Sequence, residues 1–222
     1  MRLKLYLTGN TAPVPYDNLH QLTRTLHKWL GRNNGLHDAL SLYSFGWLQG
    51  AIPQNGHLTF PRGAMWQLSF YDPGAAKQVL AGILRDPEVA WGMRVHEVRE
   101  EAVPAFGGVH RFKVDGPVLA RTKRPDGSRA YLLWNDRAAD EAITQVLRRK
   151  LVAAGFDGAH LEAEVAFDRT YPKARTKLAE IKGTKHKGSE CPVIVKGTPE
   201  SVRFAWLVGV GELTGCGFGA LK

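Results

Sequence analysis

The chain has 222 residues, 44% of them hydrophobic, and a mean hydropathy of −0.25, which allows one large or two small cored domains and excludes a disordered chain. A formal net charge of +9 and a pI near 9.7 favour a polyanionic partner, because clustered cations bind phosphates and release counterions. No apolar run has the length of a signal peptide or a membrane span, so no membrane contact is expected. In chain order, Leu3, Leu5 and Leu7 alternate with Arg2, Lys4 and Tyr6 at strand period. Leu19, Leu22, Leu26, Trp29 and Leu30 then share one helix face, with Asp17 or Asn18 as the cap and Gly31 as the stop. Tyr43 to Leu48 reads as a strand, and a Pro/Gly turn region follows around Pro53 to Gly56. Trp66, Leu68 and Phe70 alternate again. Asp72-Pro73 starts a helix whose inner face is Ala76, Val79, Leu80, Ile83 and Leu84, and Val89 to Val98 closes the half as a strand.

The same element order follows a second time. Val114, Val118 and Ala120 begin a strand, and Asp126-Gly127 turns it into a partner strand from Tyr131 to Trp134. Ile143, Val146, Leu147 and Leu151 mark a helix. Leu161, Ala163, Val165 and Phe167 alternate, Val193 and Val195 mark another strand, Thr198-Pro199 starts a short helix, and Cys216 to Leu221 is the last strand. Two β-α-β-β-α-β units in series predict an α+β protein of tandem ferredoxin-like (RRM-like) domains. The boundary falls in the Pro/Gly-interrupted stretch from Glu101 to Gly108, giving residues 1–104 and 105–222.

The positive charge concentrates in the second half. Arg169 to Lys187 carries Lys173, Arg175, Lys177, Lys182, Lys185 and Lys187 with Glu180 as its one acid, between two predicted strands, which suits a long basic hairpin. Arg148-Arg149-Lys150 and the group Arg121, Lys123, Arg124 and Arg129 add two further clusters. Such a surface suits the backbone of a folded RNA, where phosphate contacts position and shape is recognised. Cys191 and Cys216 form neither a metal-ligand spacing nor a disulfide framework, so a reduced, cytoplasmic setting is expected, and no metal or other cofactor is evident.

The tail reads Gly209-Val210-Gly211-Glu212-Leu213-Thr214-Gly215-Cys216-Gly217-Phe218-Gly219. Its glycines permit positive φ and close approach, and exposed amides there, around Gly211, Gly215 and Gly217, can hold a phosphate. A helix followed by this G-x-G-x(3)-G-x-G-F-G run resembles the C-terminal signature of the CRISPR-associated RNA-binding superfamily called repeat-associated mysterious proteins (RAMP). Leu36-His37-Asp38 and the stretch Tyr43-Ser44-Phe45-Gly46-Trp47-Leu48-Gln49-Gly50 resemble the branch that cuts the CRISPR repeat transcript. The resemblance spans essentially the whole chain. It implies two ferredoxin-like domains, CRISPR repeat RNA as partner, and metal-free cleavage at the base of the repeat hairpin, in which a 2′-hydroxyl attacks the adjacent phosphate. It also implies a catalytic histidine at or just beyond the end of the first helix. Homodimerisation and membership of a CRISPR effector complex are left open by the sequence.

That reaction needs a base, an acid and positive charge near the phosphate. His37 is the first choice, a polar histidine after Asn33-Asn34-Gly35 that core packing does not explain. His27 is the second, sharing a helix face with His20. Tyr43 or Ser44 can orient the 2′-hydroxyl or donate to the phosphate, and Arg24 or Lys28 can supply charge. The competing readings are a non-catalytic RNA-binding subunit of an effector complex, which has no need of an imidazole at position 37, and a metal-dependent nuclease on the same fold, which needs carboxylate ligands.

Overall fold

Leu3, Leu5 and Leu7 are at most 1% exposed and form the buried row of β1 (Arg2–Leu7), as their alternation requires. In the computed structural model, which describes residues 1–31 and 40–222, this strand lies inside an antiparallel sheet. It is followed by α1 (Leu19–Leu30), β2 (Tyr43–Phe45), a small hairpin of β3 (Ile52–Gln54) and β4 (His57–Thr59), then β5 (Ala64–Phe70), α2 (Pro73–Arg85) and β6 (Val95–Glu101). The sheet order is β2-β5-β1-β6. Leaving the small hairpin aside, this is β-α-β-β-α-β with the first strand between the third and the fourth, a ferredoxin-like unit. Leu5 pairs with Trp66 on one side and with Val98 on the other. Leu19, Leu22, Leu26 and Trp29 of α1 and Ala76, Val79 and Ile83 of α2 bury against the same face.

The capping signals act unevenly. Asp72 accepts from the amides of Gly74 and Ala75 with Pro73 at the first helical position, and Gly31 ends α1 at φ +86°. Asn18 flanks the start of α1, but its side chain donates to the carbonyl of Pro15 rather than capping the helix. The strand expected from Val89 begins at Val95, because Trp91 and Gly92 take positive φ and turn the chain first.

Residues 102–108 lead to β7 (Val109–Phe112), a hairpin of β8 (Ala120–Lys123) and β9 (Arg129–Leu132), and α3 (Ala138–Ala153). Then come β10 (Glu164–Phe167), the long hairpin β11 (Arg175–Ile181) and β12 (Thr184–Glu190), β13 (Val193–Lys196) and α4 (Pro199–Val208). The second sheet has order β10-β13-β7, and a bridge from Val114 to Leu221 continues it on the β7 side. The predicted terminal strand is reduced to that bridge, since Thr214–Cys216 form a 3-10 turn and Gly217 and Gly219 take left-handed φ. The strand expected to open this half at Val114 lies earlier, at Val109–Phe112, and Val114 and Val118 make only single bridges. Its alternation is faint because Val109 is 60% exposed.

The two halves are joined by buried polar ties. Arg2 stacks 3.6 Å from the Trp206 ring, and its Nε donates to Ser69 Oγ. Gln67 donates to the Leu221 carbonyl, and Trp47 Nε1 to that of Gly217. Leu119 and Phe218 of the second half pack into the core of the first.

Lys150, expected in a phosphate-binding cluster, is 2% exposed instead. It lies on α3 and donates to the Val208 carbonyl at the end of α4 (3.0 Å) and to Thr214 Oγ1 (2.8 Å), which in turn donates to the carbonyl of Tyr43 (3.0 Å). Burial pushes this amine down from 10.5 to about 7. Between those two values the folded chain has released a proton that the unfolded chain still holds, so stability rises with pH through that window. Urea midpoints of the wild type are expected to climb from pH 7 to pH 10 relative to those of Lys150→Met, which lacks the titrating group. Parallel curves for the two proteins would show that the ammonium remains charged in the folded state.

Candidate active site and nucleic-acid face

Helix α1 divides its residues cleanly. Leu19, Leu22 and Leu26 face the core, while His20, Arg24 and His27 flank that stripe, Arg24 exposed and the two histidines half-buried, with His27 in the last turn. The first residue of β2, Tyr43, brings its phenol Oη to 3.4 Å from His27 Nε2. Tyr43 is 3% exposed, and burial, with the Cys216 thiol beside it, pushes the phenol up to about 12. Like any tyrosine it is protonated at neutral pH and able to donate, and the shift extends this to more alkaline pH. The glycine tail holds it there. A Cβ at Gly215 would lie 2.7 Å from Tyr43 Cζ, Tyr43 Oη and Ser41 Oγ, so only a glycine admits this approach.

His37, the first-choice histidine, lies outside the described residues, in the segment between Gly31 and Leu40. Of the other predicted catalytic residues, His27 and Tyr43 come together and Ser44 does not join them. Ser44 is 1% exposed and its hydroxyl donates to the Leu207 carbonyl (2.9 Å), which makes it a tie between β2 and α4 rather than a phosphate donor.

The basic segment forms the hairpin β11–β12, paired from Arg175 with Glu190 to Ile181 with Thr184. Ala179 and Ile181 pack against the first-half core, so the hairpin crosses from its own half onto α1. Lys185 and Lys187 are exposed along it, and Tyr131 Oη of β9 donates to the Lys185 carbonyl (3.1 Å), binding the smaller hairpin to the larger. Strand β11 touches α1 and β12 touches β9, and Arg24, Arg129, Lys185 and Lys187 are exposed on these elements. Lys173 and Arg175 instead border an open cleft of about 630 Å3, together with Trp47, Tyr171 and Lys222.

Several predicted RNA contacts have other duties. Arg121 forms a two-nitrogen ion pair with Glu212 and is 13% exposed in its side chain. Lys28 pairs with Asp86 at 2.9 Å. On α3, Arg148 donates to the Ala163 carbonyl on the β10 side (2.9 Å), whereas Arg149 beside it is exposed. Arg175 pairs with Glu190 but remains exposed. Gly211, Gly215 and Gly217 are buried, so the expected amide cradle for a phosphate is not formed. A Cβ at Gly211 would lie 2.6 Å from the Leu119 carbonyl, and one at Gly217 2.8 Å from Leu19 and 2.9 Å from Phe45. These glycines let the tail press against both halves.

Sequence reasoning missed Lys182 and Thr214 as neighbours of this site. Lys182 was legible only as one charge in a run, and Thr214 as a spacer between glycines. Among the described residues no group of three or more His, Cys, Asp or Glu side chains has a metal-binding arrangement, and no helix is long and apolar enough to cross a membrane.

The family model described as CRISPR associated protein Cas6, C-terminal, matches residues 100–222. No curated protein matches the sequence. Among solved structures, a Cas6-related protein from Pyrococcus furiosus superposes with a TM-score of 0.87 at 18% identity, over 100% of this chain and 97% of that one. A RAMP protein described as binding different RNA substrates gives a TM-score of 0.86 at 17% identity, over 100% and 98%. A Cas6 product complex gives 0.71 at 17% identity, over 100% and 98%. These likenesses establish the tandem ferredoxin-like fold over the full described length.

Proposed function

Because this chain belongs to the Cas6 family of CRISPR-associated proteins, we propose that it is the endoribonuclease that binds the repeat hairpin of the CRISPR precursor transcript and cuts it at the base of the stem. In this reaction the 2′-oxygen forms a bond to the adjacent phosphorus as its proton passes to a base. The bond from phosphorus to the 5′-oxygen breaks, and that oxygen takes up a proton. The products are a 2′,3′-cyclic phosphate and a 5′-hydroxyl, and no metal enters any step.

The observation that carries this reading is the pairing of the His27 imidazole with the protonated Tyr43 phenol at the end of α1, beside a basic hairpin supplied by the other half. Imidazole moves protons near neutral pH, and cations nearby favour the charge that builds on the phosphate. Both proton-transfer groups lie in the first half and most of the exposed cations in the second, so an RNA stem gripped by the hairpins would present its base to α1. The relatives described as a Cas6 product complex and as a protein binding different RNA substrates support the same partner class. His37 is assigned here as the second proton-transfer residue.

The test is cleavage of a repeat hairpin in excess chelator by wild type and His37→Ala. Wild type is expected to release a product with a 2′,3′-cyclic end at a rate the chelator does not change, and His37→Ala to bind the RNA but cut it at least about 100-fold more slowly. Loss of cleavage on chelation would establish a metal-dependent nuclease instead. Tight binding without cleavage by the wild type would establish a non-catalytic RNA-binding subunit.

A further inference from the structure

The tip of the β11–β12 hairpin is Lys182-Gly183, with φ of +49° and +77°. Both central residues of this two-residue turn are left-handed, a geometry that asparagine and glycine adopt readily and lysine seldom does. A lysine held there is placed at some conformational cost, and nothing in the turn itself calls for one. Three features of its surroundings bear on why it is there. Ile181, the residue before it, and Ala179 pack on the core that contains Leu19, Leu22 and Leu26, so the tip is docked on α1 and does not wave in solvent. Its charge acts on two groups near the candidate site. The His20 imidazole is held below its ordinary range, first by burial, then by Lys182 and Arg24, and Lys182 also acts on the Cys216 thiol next to Tyr43. Lys28 is paired with Asp86 and Arg121 with Glu212, whereas Lys182, like Arg24 on α1, is exposed and makes no ion pair with any described residue.

We propose that Lys182 is a catalytic residue, a cation carried by the hairpin tip of the second half to the phosphate cleaved over α1 of the first. The inference rests on the endoribonuclease reading. Lys182 keeps its proton throughout. The 2′-oxygen to phosphorus bond forms and the bond to the 5′-oxygen breaks beside it, and the ammonium stabilises the extra negative charge on the non-bridging oxygens at the transition state. A cleavage centre divided in this way would cut only when RNA meets the docked hairpin and α1 together, which links recognition of the stem to the chemical step.

The decisive variant is Lys182→Asn, because asparagine relaxes the left-handed position, preserves the turn and removes the charge. With full-length protein saturating the repeat hairpin, single-turnover cleavage by Lys182→Asn is expected to be about 10²–10³-fold slower than wild type, as for loss of one preorganised charge donor. Lys182→Arg, which keeps a cation, should recover most of that loss. In parallel, the His20 ring resonances are expected to titrate at higher pH in Lys182→Asn than in wild type, a readout independent of activity. Cleavage by Lys182→Asn at the wild-type rate would overturn the proposal while leaving the endoribonuclease reading intact. An unmoved His20 titration would overturn the docking on which it stands. A wild-type protein that cuts no repeat hairpin would overturn the underlying reading, and this inference with it.

Discussion

His27→Ala is expected to slow single-turnover cleavage of a repeat hairpin by about 10²–10⁴-fold, the range for loss of one general acid or base, while RNA affinity changes by less than about threefold. Affinity should hold because most of the exposed cations, Arg129, Lys185 and Lys187 among them, lie in the second half, and the exposed Arg24 and Lys28 of α1 stay in place. The rate should fall because the imidazole lies 3.4 Å from a protonated phenol that is itself fixed by the tail. Tyr43→Phe offers the complementary measurement. If the phenol only orients His27, its loss should cost less than the loss of His27 and should leave the shape of the pH–rate profile unchanged. An unaltered rate in His27→Ala would reduce this histidine to a packing partner of Tyr43 and leave the proton transfers to other groups.

Gly219→Ala is expected to destabilise the protein by about 3–5 kcal/mol, one of the larger losses available from a single methyl group. Gly219 has φ +60°, and a Cβ there would collide with the carbonyl oxygen of Val210 and lie 3.0 Å from its carbon. Both colliding atoms belong to the Val210 backbone, and the two residues are held by backbone hydrogen bonds. The Val210 amide donates to the Gly219 carbonyl (2.9 Å) and the Gly219 amide to that of Pro117 (3.0 Å), so neither side yields without breaking the tail from its support. Gly127→Ala isolates the conformational part of the cost. That glycine has φ +82° in the β8–β9 turn, and no atom lies within 4 Å of the point its methyl group would occupy, so the substitution should cost only about 1 kcal/mol. Urea denaturation of the two variants checks both figures. A loss below about 1 kcal/mol in Gly219→Ala would mean that the tail adjusts around the methyl group. If the tail instead loosens, cleavage should weaken along with stability, because Gly215 in the same tail confines Tyr43.

The buried face of α1, most of that of α2 (Leu84, expected inward, is 87% exposed) and the basic hairpin were written in local pattern. Strand period in Leu3, Leu5 and Leu7, helix period in Leu19, Leu22 and Leu26, and a dense run of lysines between two apolar segments are properties of neighbouring residues, and burial in the fold repeats them directly. The glycine tail was legible as a motif, but its purpose was not. Positive φ reads the same in a loop that cradles phosphate and in one that packs backbone on backbone, and only contact with Leu119, Tyr43 and Phe45 separates the two. Ser44 and Lys150 misled for a related reason. Each is polar in sequence, and each is buried by a part of the chain more than fifty residues away, Ser44 against Leu207 and Lys150 against Val208 and Thr214. Two α+β units, a cationic second half and histidines at the first helix can thus be read from neighbouring residues. That His27 meets Tyr43, that the glycines serve packing, and that Lys182 lies over α1 emerge only on folding, because those contacts join segments whose separation along the chain leaves no local period to record them.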